Sequence, residues 1–290
     1  MKVAVTGGRG WVGQCVVTEL IEYGHELRLL VRTPWKAYPQ GAEVVTGVEL
    51  TDFDQVKQAF AGCDAVMHLA NIPGPLDENR PETFINNMTV NYNVLLAAGL
   101  LGIERVVMAS SVCATGFCRN HHYPDPDYFP LDEEHPCRPD DTYGISKYLS
   151  EILAERMVQR FPFMVVPNLR ITAVYDPEKS YAQLKARLGK RDMGALNSNF
   201  GSYVDARDSA RAFRMALTAP MQGAENFYIL NPETASDVPT MDFVRERFPH
   251  VPIREPIPEF GALEKIEKAK RILGWEPIYH WREEVAKLED

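Results

Sequence analysis

The sequence predicts an α/β fold: a doubly wound parallel sheet that carries a small C-terminal lobe. Three observations lead there. Short β-branched runs alternate with amphipathic stretches over residues 1–172, the pattern of βαβ units in a parallel sheet covered on both faces. The first run ends in a glycine cluster, Gly7-Gly8-Arg9-Gly10, that opens a helix. After residue 173 the alternation loses its regularity, which points to a second, smaller unit.

Taken in order, Lys2–Thr6 is a short apolar run, and an amphipathic stretch, Val12–Tyr23, follows it and stops at Gly24. Glu26–Val31 and Glu43–Thr46 read as strands, Phe53–Phe60 as a helix and Asp64–Leu69 as a buried strand. A long helix is expected over Glu82–Leu101 and a strand over Glu104–Ala109. Residues 117–141, rich in Pro, Asp and His, read as a long loop. It follows a strand's C-terminal end, where sheets of this kind bind ligands, and loops of this length are usually functional. A helix over Asp141–Arg160, capped by Asp141 or Thr142, leads to a strand at Phe163–Arg170. A helix near Asp205–Thr218 and a strand at Asn226–Leu230 rejoin the sheet. The core is therefore expected at 1–172 with 201–230 returning to it, and a substrate lobe at 173–200 and 231–290. Right-handed crossovers wind such a sheet on both faces.

Of 290 residues, 45% are hydrophobic and 24% charged, the balance of a chain with ample core. The net charge of −9 excludes a general nucleic-acid or anionic-membrane partner, because tracking phosphates needs a basic field. No apolar run reaches the length of a membrane helix. The first strand begins at Lys2, so no signal peptide is expected, and the protein is read as cytoplasmic. Five scattered cysteines without a CxxC pair indicate free thiols in place of a disulfide framework or a zinc site, and no metal is expected.

The segment Thr6-Gly7-Gly8-Arg9-Gly10-Trp11-Val12-Gly13 sits between a strand and a helix. Gly8, Gly10 and Gly13 satisfy GxGxxG, while Gly7, Gly10 and Gly13 satisfy GxxGxxG. Such glycines make a tight turn, let backbone approach a pyrophosphate and let helix pack on strand. Dinucleotide binding is the expectation. Enzymes that use NAD place Asp or Glu after the second strand to hold the ribose 2′-hydroxyl. Here Arg32 stands after Val31, with Lys36 beyond it and Arg9 in the glycine loop. Three cations near one hydroxyl suit a 2′-phosphate, so NADP is expected, with NAD as the alternative.

Tyr143-Gly-Ile-Ser-Lys147 puts a phenol and an ammonium one helical turn apart. Lys147, joined by the positive nicotinamide ring, is expected to stabilise the phenolate and lower the tyrosine's pKa, so that Tyr143 exchanges a proton with a substrate hydroxyl or carbonyl. Ser110 and Ser111 follow a strand, and the Ser111 hydroxyl can meet the substrate oxygen where charge develops. His68 is expected to satisfy backbone in a buried strand; His121, His122 and His135 lie on the long loop, where they could touch substrate but are expected to be solvated.

At this point the chain resembles the extended short-chain dehydrogenase/reductase family, the NAD-dependent epimerase/dehydratase group, over nearly its whole length. The likeness is carried by residues 6–13, Asp64–Ala70, Asn87–Ala98, Ser110-Ser111, Pro130–Pro136, YGISK at 143–147, Leu169–Pro177, Tyr203–Asp208 and Leu273–Pro277. It implies a Rossmann core and a catalytic Ser111, Tyr143 and Lys147, with Lys147 also on the nicotinamide ribose. The same resemblance implies a supporting Asn87 and a structural Asn93. Gly47–Asp52 is similar to an adenine-contacting GDLxD, with Glu49 in place of the usual Asp and Leu50 beside it. Further cofactor contacts are implied at Trp11, Val12, Leu69, Ala70, Asn71, Arg170 and Val174, and a homodimer through the helices that hold Asn87–Leu101 and Tyr143–Arg160. Gly194–Gly201 lacks the GDG-type segment of nucleotide-sugar epimerases, and Val112–Thr115 departs from the uronate dehydrogenases' signature.

The expected function is hydride transfer to or from a secondary alcohol or carbonyl of a sugar or sugar-like small molecule. An epimerase or dehydratase with tightly held cofactor is the first rival. A non-enzymatic NADP sensor is the second, and it would have no use for a Tyr–Lys proton relay.

Overall fold

The computed structural model describes residues 1–33, 39–74, 81–122, 124–177, 179–197 and 199–288. Its elements in chain order begin with β1 (Lys2–Thr6), α1 (Trp11–Glu22), β2 (Glu26–Val31), β3 (Ala42–Thr46) and α2 (Phe53–Phe60). Next come β4 (Ala65–His68), α3 (Glu82–Leu101), β5 (Arg105–Ser111), α4 (Thr142–Arg160), β6 (Val165–Ile171) and β7 (Ala173–Tyr175). The chain ends with α5 (Lys179–Lys185), α6 (Gly194–Asn197), β8 (Tyr203–Asp205), α7 (Ala206–Ala216), β9 (Gly223–Ile229), α8 (Thr240–Arg247) and α9 (Trp281–Ala286).

Seven strands pair in the order β3-β2-β1-β4-β5-β6-β9, and every pairing is parallel. The order reverses between β1 and β4, which places a crevice at their C-terminal ends. Strand periodicity sorts the core onto two faces. Val3 and Val5 of β1 join Val16, Val17 and Leu20 of α1 and Phe213 of α7 on one side. Ala4 joins Val94 and Leu95 of α3 and Ala154 and Met157 of α4 on the other. No helix among the described residues is long and apolar enough to cross a membrane.

Three features differ from the sequence pattern. Strand β5 runs on through both serines, because Ser110 pairs with Arg170 and Ser111 with Ile171. A separate two-stranded parallel ribbon joins β7 to β8. The long segment after β5 is stitched to the C-terminal part of the chain. Phe129 N–H donates to the Pro252 carbonyl at 2.9 Å and Leu131 N–H to that of Leu263 at 2.7 Å. Phe117, Phe129 and Leu131 are buried in a third apolar cluster with Phe200, Phe243, Phe248 and Leu263.

The late motifs interlock. Trp275, fully buried, donates its indole N–H to the Asp208 carbonyl at 2.9 Å, and the Asp208 carboxylate accepts from Ile278 N–H and Tyr279 N–H. Asp205 caps α7 and accepts the Tyr181 hydroxyl at 2.6 Å. These residues fasten the C-terminal segment to α7, which accounts for them without a catalytic role.

Candidate active site

The glycine loop is shaped by close approach. Gly7 has φ +71°, and a side chain there would meet the Ala70 nitrogen at 2.6 Å. At Gly13 a Cβ would lie 2.2 Å from the Gly7 carbonyl oxygen, so only glycine lets α1 start this near β1. Gly8 meets nothing nearer than a Val17 methyl at 3.2 Å, which favours the Gly7, Gly10, Gly13 spacing. Gly10 is the N-cap of α1 and supplies no capping side chain. The first-turn N–H groups of a helix left in that state, with its positive dipole end, suit a phosphate. Trp11 is exposed and Val12 half-buried beside it.

Near the end of β2 the Arg9 guanidinium donates to the Thr33 hydroxyl at 3.1 Å. Arg32 is 76% exposed and approaches Glu49 at 4.0 Å. Lys36 lies outside the described residues. The Leu50 carbonyl accepts from the Asn93 amide at 3.0 Å, which ties the segment after β3 to α3.

At the end of β4 a chain of hydrogen bonds runs beneath the crevice. Ala70 N–H donates to the Thr6 hydroxyl, 3.3 Å away, and that hydroxyl pairs with His68 Nδ1 at 2.6 Å. His68 Nε2 pairs with the Asn91 side-chain oxygen at 2.8 Å. The Asn91 amide donates to the Ser150 hydroxyl at 2.5 Å and to the Asn71 side-chain oxygen at 3.3 Å. This corrects one expectation: buried His68 bonds side chains and not backbone. Burial is the main cause that pushes it down to about 4, so the ring is neutral at physiological pH.

Asp141 caps α4 by accepting from Tyr143 N–H and Gly144 N–H, both at 3.0 Å. A Cβ at Gly144 would lie 2.7 Å from the Cys113 carbonyl, so glycine brings the first turn of α4 against the turn that follows β5. Lys147 is buried, donates to the Ala109 carbonyl at 2.6 Å and stands 5.6 Å from the Tyr143 ring centroid. Burial lowers its ammonium to about 8. The Tyr143 phenol is held above its ordinary value by burial and then by Cys113, while a hydrogen bond with Ser111 and the charge of Arg119 pull it down. The lowering by Lys147 expected from the sequence is not what these side chains produce on their own. Ser111 is buried at the end of β5, and its Oγ accepts from Cys113 N–H at 3.2 Å.

Asn87 holds both polar groups of Ile72, accepting from its N–H at 2.8 Å and donating to its carbonyl at 3.1 Å. Its amide also reaches the Ser146 hydroxyl at 3.4 Å, so it braces the β4 end against α4. Arg170 is placed otherwise than a cofactor contact requires. Its guanidinium is 1% exposed and engages Glu151 through Nε at 3.0 Å and Nη2 at 2.8 Å. Glu151 also accepts the Ser110 hydroxyl at 2.6 Å. Val174 lies half-buried on β7, paired with Val204.

With this geometry in place, the family model described as "NAD dependent epimerase/dehydratase family" matches residues 3–229. The chain belongs to that family. Its members include dehydrogenases, reductases and epimerases, and the chain is an enzyme of that short-chain dehydrogenase/reductase type. It is similar to a UDP-glucose 4-epimerase of Streptomyces lividans, 31% identical over 74% of this chain and 71% of the relative. A uronate dehydrogenase of Pseudomonas syringae pv. tomato is 27% identical over 67% of each chain. A solved structure of a mutated uronate dehydrogenase superposes with a TM-score of 0.70 at 25% identity, covering 99% of this chain and 86% of that one.

Several residues at the site were not anticipated. Glu151 carried a signal, since it is one turn beyond Lys147 on the same face of α4. Cys113 and Cys118, whose sulfurs lie 2.9 Å apart, and Arg119, at φ +65°, carried none, because a long loop hides its contacts. His135 is a correction: it is buried, accepts from Asp127 N–H at 2.9 Å and packs on Phe117 and Tyr128.

Proposed function

We propose that this chain is an NADP-preferring oxidoreductase that moves a hydride to or from a secondary alcohol or carbonyl of a small molecule. The observation that carries the reading is the meeting of Ser111, Tyr143 and Lys147 at one end of β5, beside a glycine loop that a side chain at Gly7 or Gly13 would obstruct. Gly7, Gly10 and Gly13 with the start of α1 would hold the pyrophosphate, Glu49 and Leu50 the adenine side, and Leu69, Ala70, Asn71 and Lys147 the nicotinamide side. A bound nicotinamide supplies the hydride donor or acceptor.

The residues themselves account for the proton. Tyr143, protonated at neutral pH, donates its phenolic proton to a substrate carbonyl oxygen in the reductive direction. Ser111 offers a second hydrogen bond to that oxygen, where charge builds up. Lys147, charged at neutral pH, stabilises the phenolate left behind, and Asn87 keeps the β4 end and α4 in register. Tyr143→Phe is expected to abolish turnover on a carbonyl panel followed by NADPH absorbance, with cofactor affinity unchanged. Turnover near wild type would sink the mechanism.

The preference for NADP is supported by exposed Arg32, with Arg9 held beside it by Thr33. A hydrogen bond to a charged group is worth about 1.5–3 kcal/mol. NADP should therefore bind roughly ten- to a hundredfold more tightly than NAD. Equal affinities in parallel titrations would remove this preference. The Streptomyces relative favours a second reading, epimerisation, in which hydride leaves and returns within one turnover. That reading predicts product without net change in NADPH absorbance.

The division into a dinucleotide-binding core and a substrate lobe at 173–200 and 231–290 belongs to the same proposal. So does a homodimer through α3 and α4, supported by Ile85, Tyr92 and Leu100, which leave 57%, 42% and 48% of their surface exposed on α3. Sedimentation at micromolar concentration tests the dimer, and a monomer there would exclude it.

A further inference from the structure

A cleft of about 390 Å³ opens between the segment after β5, the end of α6 and the end of α8. That volume suits a small ligand. Phe117, Phe200, Phe243 and Phe248 wall it, and Asn197 and Arg247 are the polar residues of its lining. The four phenylalanines are themselves buried, and three of their ring pairs lie 5.6–6.0 Å apart at tilted or edge-on angles. The walls are thus fixed by packing on one another. Arg247 is exposed, stands 5.9 Å from the Phe248 ring and forms no ion pair among the described residues. An uncommitted cation at the rim of an aromatic cleft stands out in a chain of net charge −9.

The cleft is linked to Tyr143 through the turn at residues 113–118. Phe117 immediately precedes Cys118, whose sulfur is 2.9 Å from that of Cys113. The Cys113 carbonyl in turn abuts Gly144, the neighbour of Tyr143. We propose that this cleft is the specificity pocket of the enzyme and that it takes an aromatic or alicyclic ring bearing a carboxylate, the ring among the phenylalanines and the carboxylate on Arg247. The inference rests on the oxidoreductase reading above and narrows its substrate. A nucleotide sugar fits poorly, since its hydroxyls and two phosphates would face phenylalanine side chains that cannot hydrogen-bond them. Segment 194–201, which lacks the GDG-type sequence, supplies Asn197 and Phe200 to this wall.

The test is titration of 2-naphthoate into the full-length protein saturated with NADP, followed by calorimetry. Wild type should bind it, and Arg247→Ala should weaken binding about tenfold through loss of one charge-assisted contact. Asn197→Trp fills the cleft from its exposed rim while leaving the buried phenylalanines in place, and should abolish binding. UDP-glucose at millimolar concentration should not displace the probe. Binding unchanged in Asn197→Trp, no binding in wild type, or displacement by UDP-glucose would each overturn the assignment. Tyr143→Phe should bind 2-naphthoate as wild type does. A failure of the pocket is thereby separated from a failure of the proton chemistry, which the turnover of Tyr143→Phe reports alone.

Discussion

Replacing Arg170 by methionine removes one side of the ion pair that fixes α4 to the sheet. Arg170 and Glu151 are each 1% exposed, and the guanidinium meets both carboxylate oxygens at 2.8–3.0 Å. With the arginine gone, Glu151 keeps only the Ser110 hydroxyl as a side-chain donor among the described residues. An uncompensated buried charge costs about 3–5 kcal/mol. At about 2–4 °C per kcal/mol for a chain near this size, Tm should fall by roughly 6–20 °C. The companion variant Arg170→Met/Glu151→Leu removes both charges. It should recover most of the loss, since a buried pair is worth little over well-packed apolar groups. Among the described residues Arg170 Nη1 has no hydrogen-bond partner, which makes the apolar replacement easier still. Urea unfolding of the four members of this cycle measures the coupling. A single variant within 1 kcal/mol of wild type, or a double variant as unstable as the sum of the singles, would refute the account.

Three further outcomes are expected. Gly13→Ala should lose dinucleotide binding and some stability, because its methyl would sit 2.2 Å from the Gly7 carbonyl oxygen. Gly24→Ala meets no neighbour but sits at φ +77°, so it should cost only the left-handed strain of about 1–2 kcal/mol and keep dinucleotide binding; binding calorimetry and melting curves read both. His68 is depressed to about 4 from 6.5, so its contribution is complete above pH 6.5 and is lost as pH falls towards 4. That is about 3 kcal/mol over the window, and His68→Gln should flatten the acid limb of stability against pH. Glu264, fully buried and accepting the Ser202 hydroxyl, is raised from 4.5 to about 8. Its contribution is complete below pH 4.5 and is lost as pH rises to 8, at most about 5 kcal/mol, so Glu264→Gln should be the more stable protein at pH 9.

The sheet was legible because its strands obey two short-range rules. Val3, Ala4 and Val5 alternate between faces, and each run ends at a glycine or a polar turn, so period and punctuation agree. The glycine loop and YGISK were legible because their spacing is itself the geometry. What stayed hidden lies in contacts far apart in sequence. Residues 117–141 look like a solvent loop by composition, yet Phe129 and Leu131 dock on Pro252 and Leu263 across more than a hundred residues. Arg170 has the residue type of a phosphate ligand, and only its buried partner on α4 shows otherwise. His68 could be placed in a buried strand, but not matched to Asn91, because amide partners leave no spacing signature.

These particulars converge on α4. Its inner face repeats at Tyr143, Lys147 and Glu151, one turn apart, and each position answers to β5: Tyr143 to Ser111, Lys147 to the Ala109 carbonyl, Glu151 to Ser110. The neighbouring stripe, Ser146 and Ser150, answers to Asn87 and Asn91 of α3. The first half of the helix is therefore registered against a strand and a helix by hydrogen bonds at each turn from Tyr143 to Glu151, with Asp141 fixing where it starts. Apolar packing alone tolerates small slides of a helix along its axis, whereas a ladder of directed polar contacts at a 3.6-residue repeat does not. Under the proposed mechanism the Tyr143 phenol meets a substrate oxygen within hydrogen-bond reach, and that role needs the second kind of constraint. The polar residues buried around α4 are thus explained by position: they hold Tyr143 and Lys147 at one height above the end of β5.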